Sequence, residues 1–263
     1  MKIYIQKITG MDIYYDNISK ELILNGKPLS CSIRFLKEMK DVIHDKEWFS
    51  TVKPDRKMYY MFRDIHEDAD REAAEDNNLR YDITVIPPDM IGDEYVKTQG
   101  HCHPCVTGTD VTYPEMYQVL NGEAMFIFEK KEGKETKTYH IHGKEGDIVI
   151  LPPGYSHVTV NPTDQILIVA NWTESRFKSD YRPMLKTRGL AYYYIRKGNE
   201  SAFISNINNK DASSLEEIRP IDPELIGLKK DEPMYALIKT PEKLAFLTKP
   251  QDYGTFFSKV FEQ

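Results

Sequence analysis

The stretch Gly146-Asp147-Ile148-Val149-Ile150-Leu151-Pro152-Pro153-Gly154-Tyr155-Ser156-His157-Val158-Thr159-Val160-Asn161 decides the fold. A glycine opens an apolar run, Pro152-Pro153-Gly154 supplies a turn, and His157 heads a second short strand. The turn aims His157 back toward the face of the first strand. Upstream, Tyr113 to Leu120 reads as a strand ending in the Asn121-Gly122 turn, with Glu123 to Phe128 as the returning strand. Glu115 and Tyr117, two residues apart, share a face. In Thr98-Gln99-Gly100-His101-Cys102-His103, two imidazoles at i and i+2 also point to one side. His101, His103, Glu115 and His157 therefore read as a three-histidine, one-carboxylate shell for a single metal ion inside a β-barrel. A nitrogen-rich set of this kind suits Fe²⁺, Mn²⁺, Ni²⁺ or Zn²⁺ and argues against Mg²⁺ and Ca²⁺.

These segments resemble the two motifs of the cupin superfamily, the second matching Gly-x5-Pro-x-Gly-x2-His-x3-Asn at every fixed position. More narrowly, Thr98-x-Gly100-His101-x-His103, Pro114-Glu115-Met116-Tyr117 and Leu151-Pro152-Pro153-x3-His157-x-Thr159-Val160-Asn161 resemble the cupin-type phosphoglucose isomerases, the archaeal-type enzymes. The likeness extends upstream to Ser32-x-Arg34-x-Leu36-x2-Met39, read as leading a helix, and to strands at Met58 to Met61 and Tyr81 to Ile86, so that it covers residues 30 to 182.

The resemblance implies a mainly β cupin jelly roll that interconverts glucose 6-phosphate and fructose 6-phosphate. It implies one divalent transition metal per subunit, iron first, with Glu115 as both ligand and base. Tyr59, Thr84, Thr98, Gly100 and Tyr117 become the positions around the sugar phosphate. Three departures stand out. Gln99 replaces the family's lysine, eleven residues separate His103 from Glu115 where relatives have fewer, and Trp172 stands where the family has a tyrosine, exchanging a hydroxyl for an indole N–H. A cupin isomerase of another sugar, an iron-dependent cupin dioxygenase and a non-catalytic sugar-binding cupin therefore stay open as alternatives.

At 263 residues, with 40% hydrophobic and 11% aromatic content, the chain can bury a sizeable core. A net charge of −6, with no long Lys/Arg block and no helix-turn-helix pattern, argues against nucleic acid and anionic membrane as partners. No apolar run approaches a membrane span and Met1 to Gln6 lacks the regions of a secretory signal, so the chain reads as cytoplasmic. Three cysteines, Cys31, Cys102 and Cys105, suit a reducing compartment. Cys102 and Cys105 lack the second ligand pair of a structural zinc site, and Cys102 reads as a small buried residue on the face opposite His101 and His103. His44 and His66 read as solvated, and His140 and His142 as lying on an exposed strand face.

Residues 1–182 are expected to form the barrel with its additions, the motif core spanning 80–175, and residues 183–263 to form a hairpin and an extension packed on it. The additions comprise short strands around Asn25-Gly26 and an amphipathic helix of about 15 residues with Leu36, Met39, Ile43 and Trp48 inward. The acidic stretch 64–79 reads as a solvated loop or short exposed helix. Leu190 to Ile195 and Ser201 to Ile204 flank Lys197-Gly198-Asn199-Glu200 as a hairpin, and short helices are expected after Thr240-Pro241 and between Tyr253 and Phe261. The apolar edge offered by Tyr192 to Tyr194 and the amino-terminal strands suggests a homodimer.

Overall fold

The runs on either side of Asn121-Gly122 form strands Glu115–Asn121 and Glu123–Glu132. They enter different sheets in the computed structural model, whose described residues are 1–209 and 212–262. The larger sheet runs Ile148–Leu151, Glu115–Asn121, Leu167–Glu174, Leu79–Ile86, Lys57–Phe62, Ser32–Phe35, with every neighbouring pair antiparallel. The second runs Ser156–Val160, Glu123–Glu132, Glu135–Lys144 and Ala212–Glu217, the last added in parallel. The chain changes sheets at Gly122, whose φ of +83° and the 2.9 Å that an added Cβ would leave to the Ile166 carbonyl oxygen both require glycine. It changes again at the Pro152 to Gly154 turn. The result is the mainly β cupin jelly roll, built from two facing sheets rather than one closed hydrogen-bonded ring.

Val119, Phe126, Phe128, Val149 and Val169 fill the space between the sheets. The other face of the large sheet is buried as well. Tyr81, Ile83, Met116, Ala170 and Trp172 pack there beneath Ile13, Tyr15 and Leu22 of the amino-terminal segment and Met234, Leu237 and Phe246 of the carboxy-terminal one. That amino-terminal segment is a four-stranded antiparallel sheet in chain order, Lys2–Tyr4, Ile13–Asp16, Glu21–Leu24 and Lys27–Pro28. Its last turn is Asn25-Gly26, with φ of 50° and 74° as a two-residue hairpin demands.

The predicted helix over the next residues is not one element. Ser32–Phe35 is the edge strand of the large sheet, Leu36–Val42 is a 3₁₀ helix, and Lys46–Thr51 is a short α-helix capped by Asp45, which accepts from the Trp48 amide at 2.8 Å. Leu36, Met39 and Val42 recur every third residue, which is the 3₁₀ period, and all three are buried; Ile43 is buried and Trp48 half-buried. The acidic stretch does contain short helices, Asp68–Asp70 and Arg71–Asp76, but Asp70 is buried, accepting from the Tyr235 hydroxyl at 3.1 Å and paired with Lys239.

Tyr192–Lys197 and Glu200–Ser205 form the expected hairpin, which pairs with Glu94–Tyr95. Short helices occur at Pro241–Leu244, Ala245–Thr248, Gly254–Ser258 and Lys259–Phe261. Lys210, Asp211 and Gln263 of the predicted extension lie outside the described residues. Along the apolar edge read as a pairing surface, Tyr193, Ile13 and Tyr15 are buried within the chain, Tyr192 and Tyr194 are half-buried, and Tyr4 on the first strand is exposed. Cys31 and Cys105 are exposed, and Cys102 is half-buried rather than buried, with its thiol 3.5 Å from the Asp180 carbonyl oxygen. Among the described residues, no helix is long and apolar enough to cross a membrane.

Candidate metal centre and sugar pocket

Three separate chain segments bring the four predicted ligands together. His101 pairs with His157 as a single antiparallel bridge, the His101 amide donating to the His157 carbonyl at 3.2 Å and the reverse bond measuring 3.0 Å. Gly100 permits this approach. Its φ is +79°, and a Cβ there would lie 2.7 Å from Val158 Cγ1. Glu115, the first residue of its strand, faces the histidines from the opposite sheet.

One ligand atom from each of His101, His103, Glu115 and His157 falls within 4.8 Å of all the others. His101 Nε2 lies 3.1 Å from His103 Nε2, and Glu115 Oε2 lies 3.2 Å from His157 Nε2 and 3.5 Å from His103 Nε2. Two ligand atoms each about 2.0–2.2 Å from a common ion can lie at most about 4.4 Å apart, and these three distances fall within that limit. His103 Nδ1 donates to the Tyr113 carbonyl at 2.9 Å, which leaves the Nε2 lone pair facing the cluster.

Protonation favours the same use. Burial, reinforced by the neighbouring His157 and His103, holds His101 well below its ordinary value, so it is neutral near pH 7. Burial lowers His103 to about 4 against the opposing pull of Glu115. For Glu115, burial alone would push the carboxyl up, but the His157 hydrogen bond and the electrostatic influence of the surrounding imidazoles outweigh it and hold the carboxyl well below its ordinary value, so it is ionised near pH 7. Neutral His101 and His103 beside an ionised carboxylate fit a divalent transition metal.

Glu115 is held from two more directions. The Tyr117 hydroxyl donates to Oε2 at 2.8 Å, and Asn171 Nδ2 donates to Oε1 at 2.7 Å. Tyr59, Thr84, Thr98, Gly100 and Tyr117 all line the cavity that opens on this cluster. Tyr59 Oη accepts from the Gln99 amide at 3.1 Å and from Arg34 Nε at 3.2 Å, so its own proton is left to donate. Thr98 Oγ1 accepts from the Thr159 amide at 3.0 Å.

Trp172 is not in the cavity. Its indole is fully buried on the outer face of the large sheet, where Nε1 donates to the Met234 carbonyl at 3.2 Å and the ring lies 4.9 Å from Tyr81 and 5.9 Å from Tyr235. The cavity positions of that strand are Asn171 and Thr173. Neither was anticipated, and neither was the trio Arg63, Arg80 and Asp82 on the same inner face. The alternation Arg80-Tyr81-Asp82-Ile83-Thr84, polar at every second position, was the available signal. Two buried atoms lining the cavity have no hydrogen-bond partner among the described residues, Thr173 Oγ1 and Gln99 Oε1.

The remaining histidines stay apart from this cluster. His142 is exposed and 2.7 Å from Glu123, His44 is exposed, and His66 and His140 are half-buried, the latter against Phe203. A separate cleft of about 930 Å³ is lined by charges of both signs, among them Lys7, Asp147, Arg219 and Glu224.

Three histidines and a carboxylate gathered between the sheets of a jelly roll define the metal-site cupins as the class to which this architecture corresponds. A family model described as Glucose-6-phosphate isomerase (GPI) matches residues 33–211, and the chain belongs to that family. Glucose-6-phosphate isomerase of Thermococcus onnurineus is 24% identical over 175 residues, 66% of this chain and 85% of that protein. The enzyme of the same name from Thermococcus kodakarensis is 24% identical over 198 residues, 75% of this chain and 94% of that protein. Among solved structures, an oxalate oxidase superposes with a TM-score of 0.37 at 14% identity, covering 49% of this chain and 57% of the other, so the chain spans little more than half of that structure.

Proposed function

We propose that this chain is a metal-dependent aldose–ketose isomerase that interconverts glucose 6-phosphate and fructose 6-phosphate. The observation that carries the proposal is the convergence of His101, His103, Glu115 and His157 within 4.8 Å, in a chain of the glucose-6-phosphate isomerase family. These four side chains would hold one divalent transition metal, with Fe²⁺ preferred and Mn²⁺, Ni²⁺ or Zn²⁺ compatible with the same donors. When bound, such an ion supplies Lewis-acid polarisation of a carbonyl and an anchor for neighbouring oxygens.

The chain's own residues then have distinct tasks. Glu115, kept ionised at neutral pH, accepts the proton from C2 of the aldose and returns it to C1 through an enediol, while the proton of the O2 hydroxyl passes to O1. Asn171 fixes Oε1 and Tyr117 fixes Oε2, so the carboxylate meets the substrate in one orientation. The free proton of Tyr59, the hydroxyls of Thr84 and Thr98 and the backbone at Gly100 serve as donors to the phosphate. Thr173 Oγ1, buried and unpaired, is left to bond a sugar hydroxyl.

The test is a metal-reconstituted activity screen with fructose 6-phosphate, mannose 6-phosphate and the free sugars, run with and without air, alongside elemental analysis of the wild type, H101A and H157A. Isomerisation of fructose 6-phosphate that does not depend on air, with one equivalent of metal lost in both variants, is the expected result. Undiminished metal in both variants would end the metal assignment. Consumption of oxygen would favour a dioxygenase.

A further inference from the structure

The cavity has more positive charge than its own carboxylates require. Glu115 faces the three histidines, whereas Asp82, 4% exposed, is shared by two arginines on the same inner face. Arg80 grips Asp82 in a fork, Nε to Oδ1 at 2.9 Å and Nη2 to Oδ2 at 2.9 Å, and makes a matched, half-buried pair. Arg63 makes a single longer bond, Nη1 to Oδ2 at 3.3 Å, with Nη2 turned to the Met61 sulfur at 3.4 Å and 46% of the side chain open to solvent. One carboxylate between two guanidiniums leaves one positive charge over, and Arg63 is the partner with donors to spare.

The place of that charge is defined by strand register. Met61 lies opposite Thr84 and Phe62 opposite Ile83, so Arg63, two residues beyond Met61, projects from the same face as Thr84 at the level of Asp82, one inward-facing position along from Thr84. The other arginine near these donors, Arg34, is committed: Nε donates to Tyr59, Nη2 to Tyr181 at 3.3 Å, and Nη1 pairs with Glu38 at 3.1 Å. Gln99, beside Thr98, is neutral, and its buried amide nitrogen already donates to the Glu38 carbonyl at 3.1 Å.

Resting on the sugar-phosphate reading above, we propose that Arg63 is the cation that binds the substrate's phosphoryl dianion, with the Asp82–Arg80 pair positioning it at the mouth of the cavity. The guanidinium offers a planar fork to two phosphoryl oxygens, while the hydroxyls of Thr84 and Thr98 serve the rest of the group. Selection for a phosphorylated over a free sugar is therefore assigned to a residue outside the two histidine-bearing motifs.

The experiment compares the metal-loaded wild type, R63K and R63M. Inorganic phosphate is titrated into each by calorimetry, and fructose 6-phosphate and fructose are compared as substrates. Loss of a charge-assisted contact predicts phosphate binding about 10- to 100-fold weaker in R63M, with R63K between it and the wild type. The kinetic loss should appear in KM for fructose 6-phosphate rather than in kcat, and should exceed any loss on fructose by roughly tenfold or more. A general structural defect would depress both sugars alike. Phosphate affinity in R63M within about twofold of the wild type, R63K no better than R63M, or no phosphate binding by the wild type would each overturn the proposal. If phosphate binds through Arg63 but no sugar phosphate is turned over, the anion site stands and the isomerase reading fails.

Discussion

On strand Leu167–Glu174, Asn171 and Trp172 are neighbours in sequence and belong to different chemistries. Asn171 stands between the sheets and donates to Glu115 at 2.7 Å; Trp172 stands on the outer face beneath the carboxy-terminal segment and donates to Met234 at 3.2 Å. All eight residues of the strand are buried. Burial therefore does not distinguish the faces, but partners do. The inner face gathers Glu115, Tyr117, Asp82, Arg80 and Thr173 around a cavity, while the outer face gathers Tyr81, Ile83, Met116 and Ala170 into a closed apolar layer. One sheet serves as the wall of a site and as the floor of a second core.

The largest effect that tests this division is on stability. Trp172→Ala removes an aromatic side chain packed on Tyr81 and Tyr235, and truncations of that size in a core cost about 3–5 kcal/mol. The unfolding free energy from a denaturant titration should fall by that amount, the midpoint dropping with unchanged slope. The folded fraction should keep its full metal content, because no atom of the indole faces the ligands. Metal lost in proportion to stability would show that the two faces are not separable.

Next comes the inner face. Glu115→Gln keeps the shape and one coordinating oxygen but cannot accept a proton at neutral pH, so isomerisation should fall by ~10² or more, the scale expected for a general base. Metal content must be measured on the same sample. A fully metallated E115Q enzyme with near-normal turnover would remove Glu115 as the base and leave a hydride shift or another residue. Asn171→Ala should act more mildly, since outer-shell partners of metal ligands contribute about 10- to 100-fold in affinity or activity. Its stability should fall less than that of Trp172→Ala, which reverses the ranking of these neighbours between the two assays.

The ligands were legible in the sequence because each sits at fixed spacing from a turn that strands need anyway: Asn121-Gly122 for the hairpin, Pro152 to Gly154 for the return, Gly100 for the approach to His157. The Trp172 assignment went wrong for a physical reason. In Leu167-Ile168-Val169-Ala170-Asn171-Trp172-Thr173-Glu174, apolar residues occupy both faces, so nothing in the first half of the strand reveals which parity looks inward. The single long helix failed because an apolar period of three was extended into a period of 3.6 across Ile43 to Asp45. The outer core could not be read at all. Its contacts join residues far apart in the chain, such as Asp70 with Tyr235, and local pattern carries no trace of them.

The smallest effect concerns a group that departs from the rule of apolar outer faces. Glu129, on the second sheet, is 7% exposed; its Oε2 accepts from the Ala191 amide at 2.5 Å and its Oε1 from Asn209 Nδ2 at 3.0 Å. Burial pushes its carboxyl up to about 7, against the opposing influence of both hydrogen bonds, from an ordinary value of 4.5. Between these two values the folded chain holds a proton that the unfolded chain has released, so raising the pH destabilises the fold. The contribution is fully present below about 4.5 and disappears as the pH rises through about 7. The steepest slope from one such group is about 1.4 kcal/mol per pH unit. Denaturant midpoints for the wild type and Glu129→Leu between pH 5 and 8 isolate it, because groups common to both cancel in the difference. The variant should be less stable at low pH, where the protonated carboxyl is tolerated and its two acceptor contacts are lost, and the gap should narrow as the pH rises. A gap independent of pH would mean that Glu129 is charged throughout, and that this outer face carries a buried anion held by Ala191 and Asn209 alone.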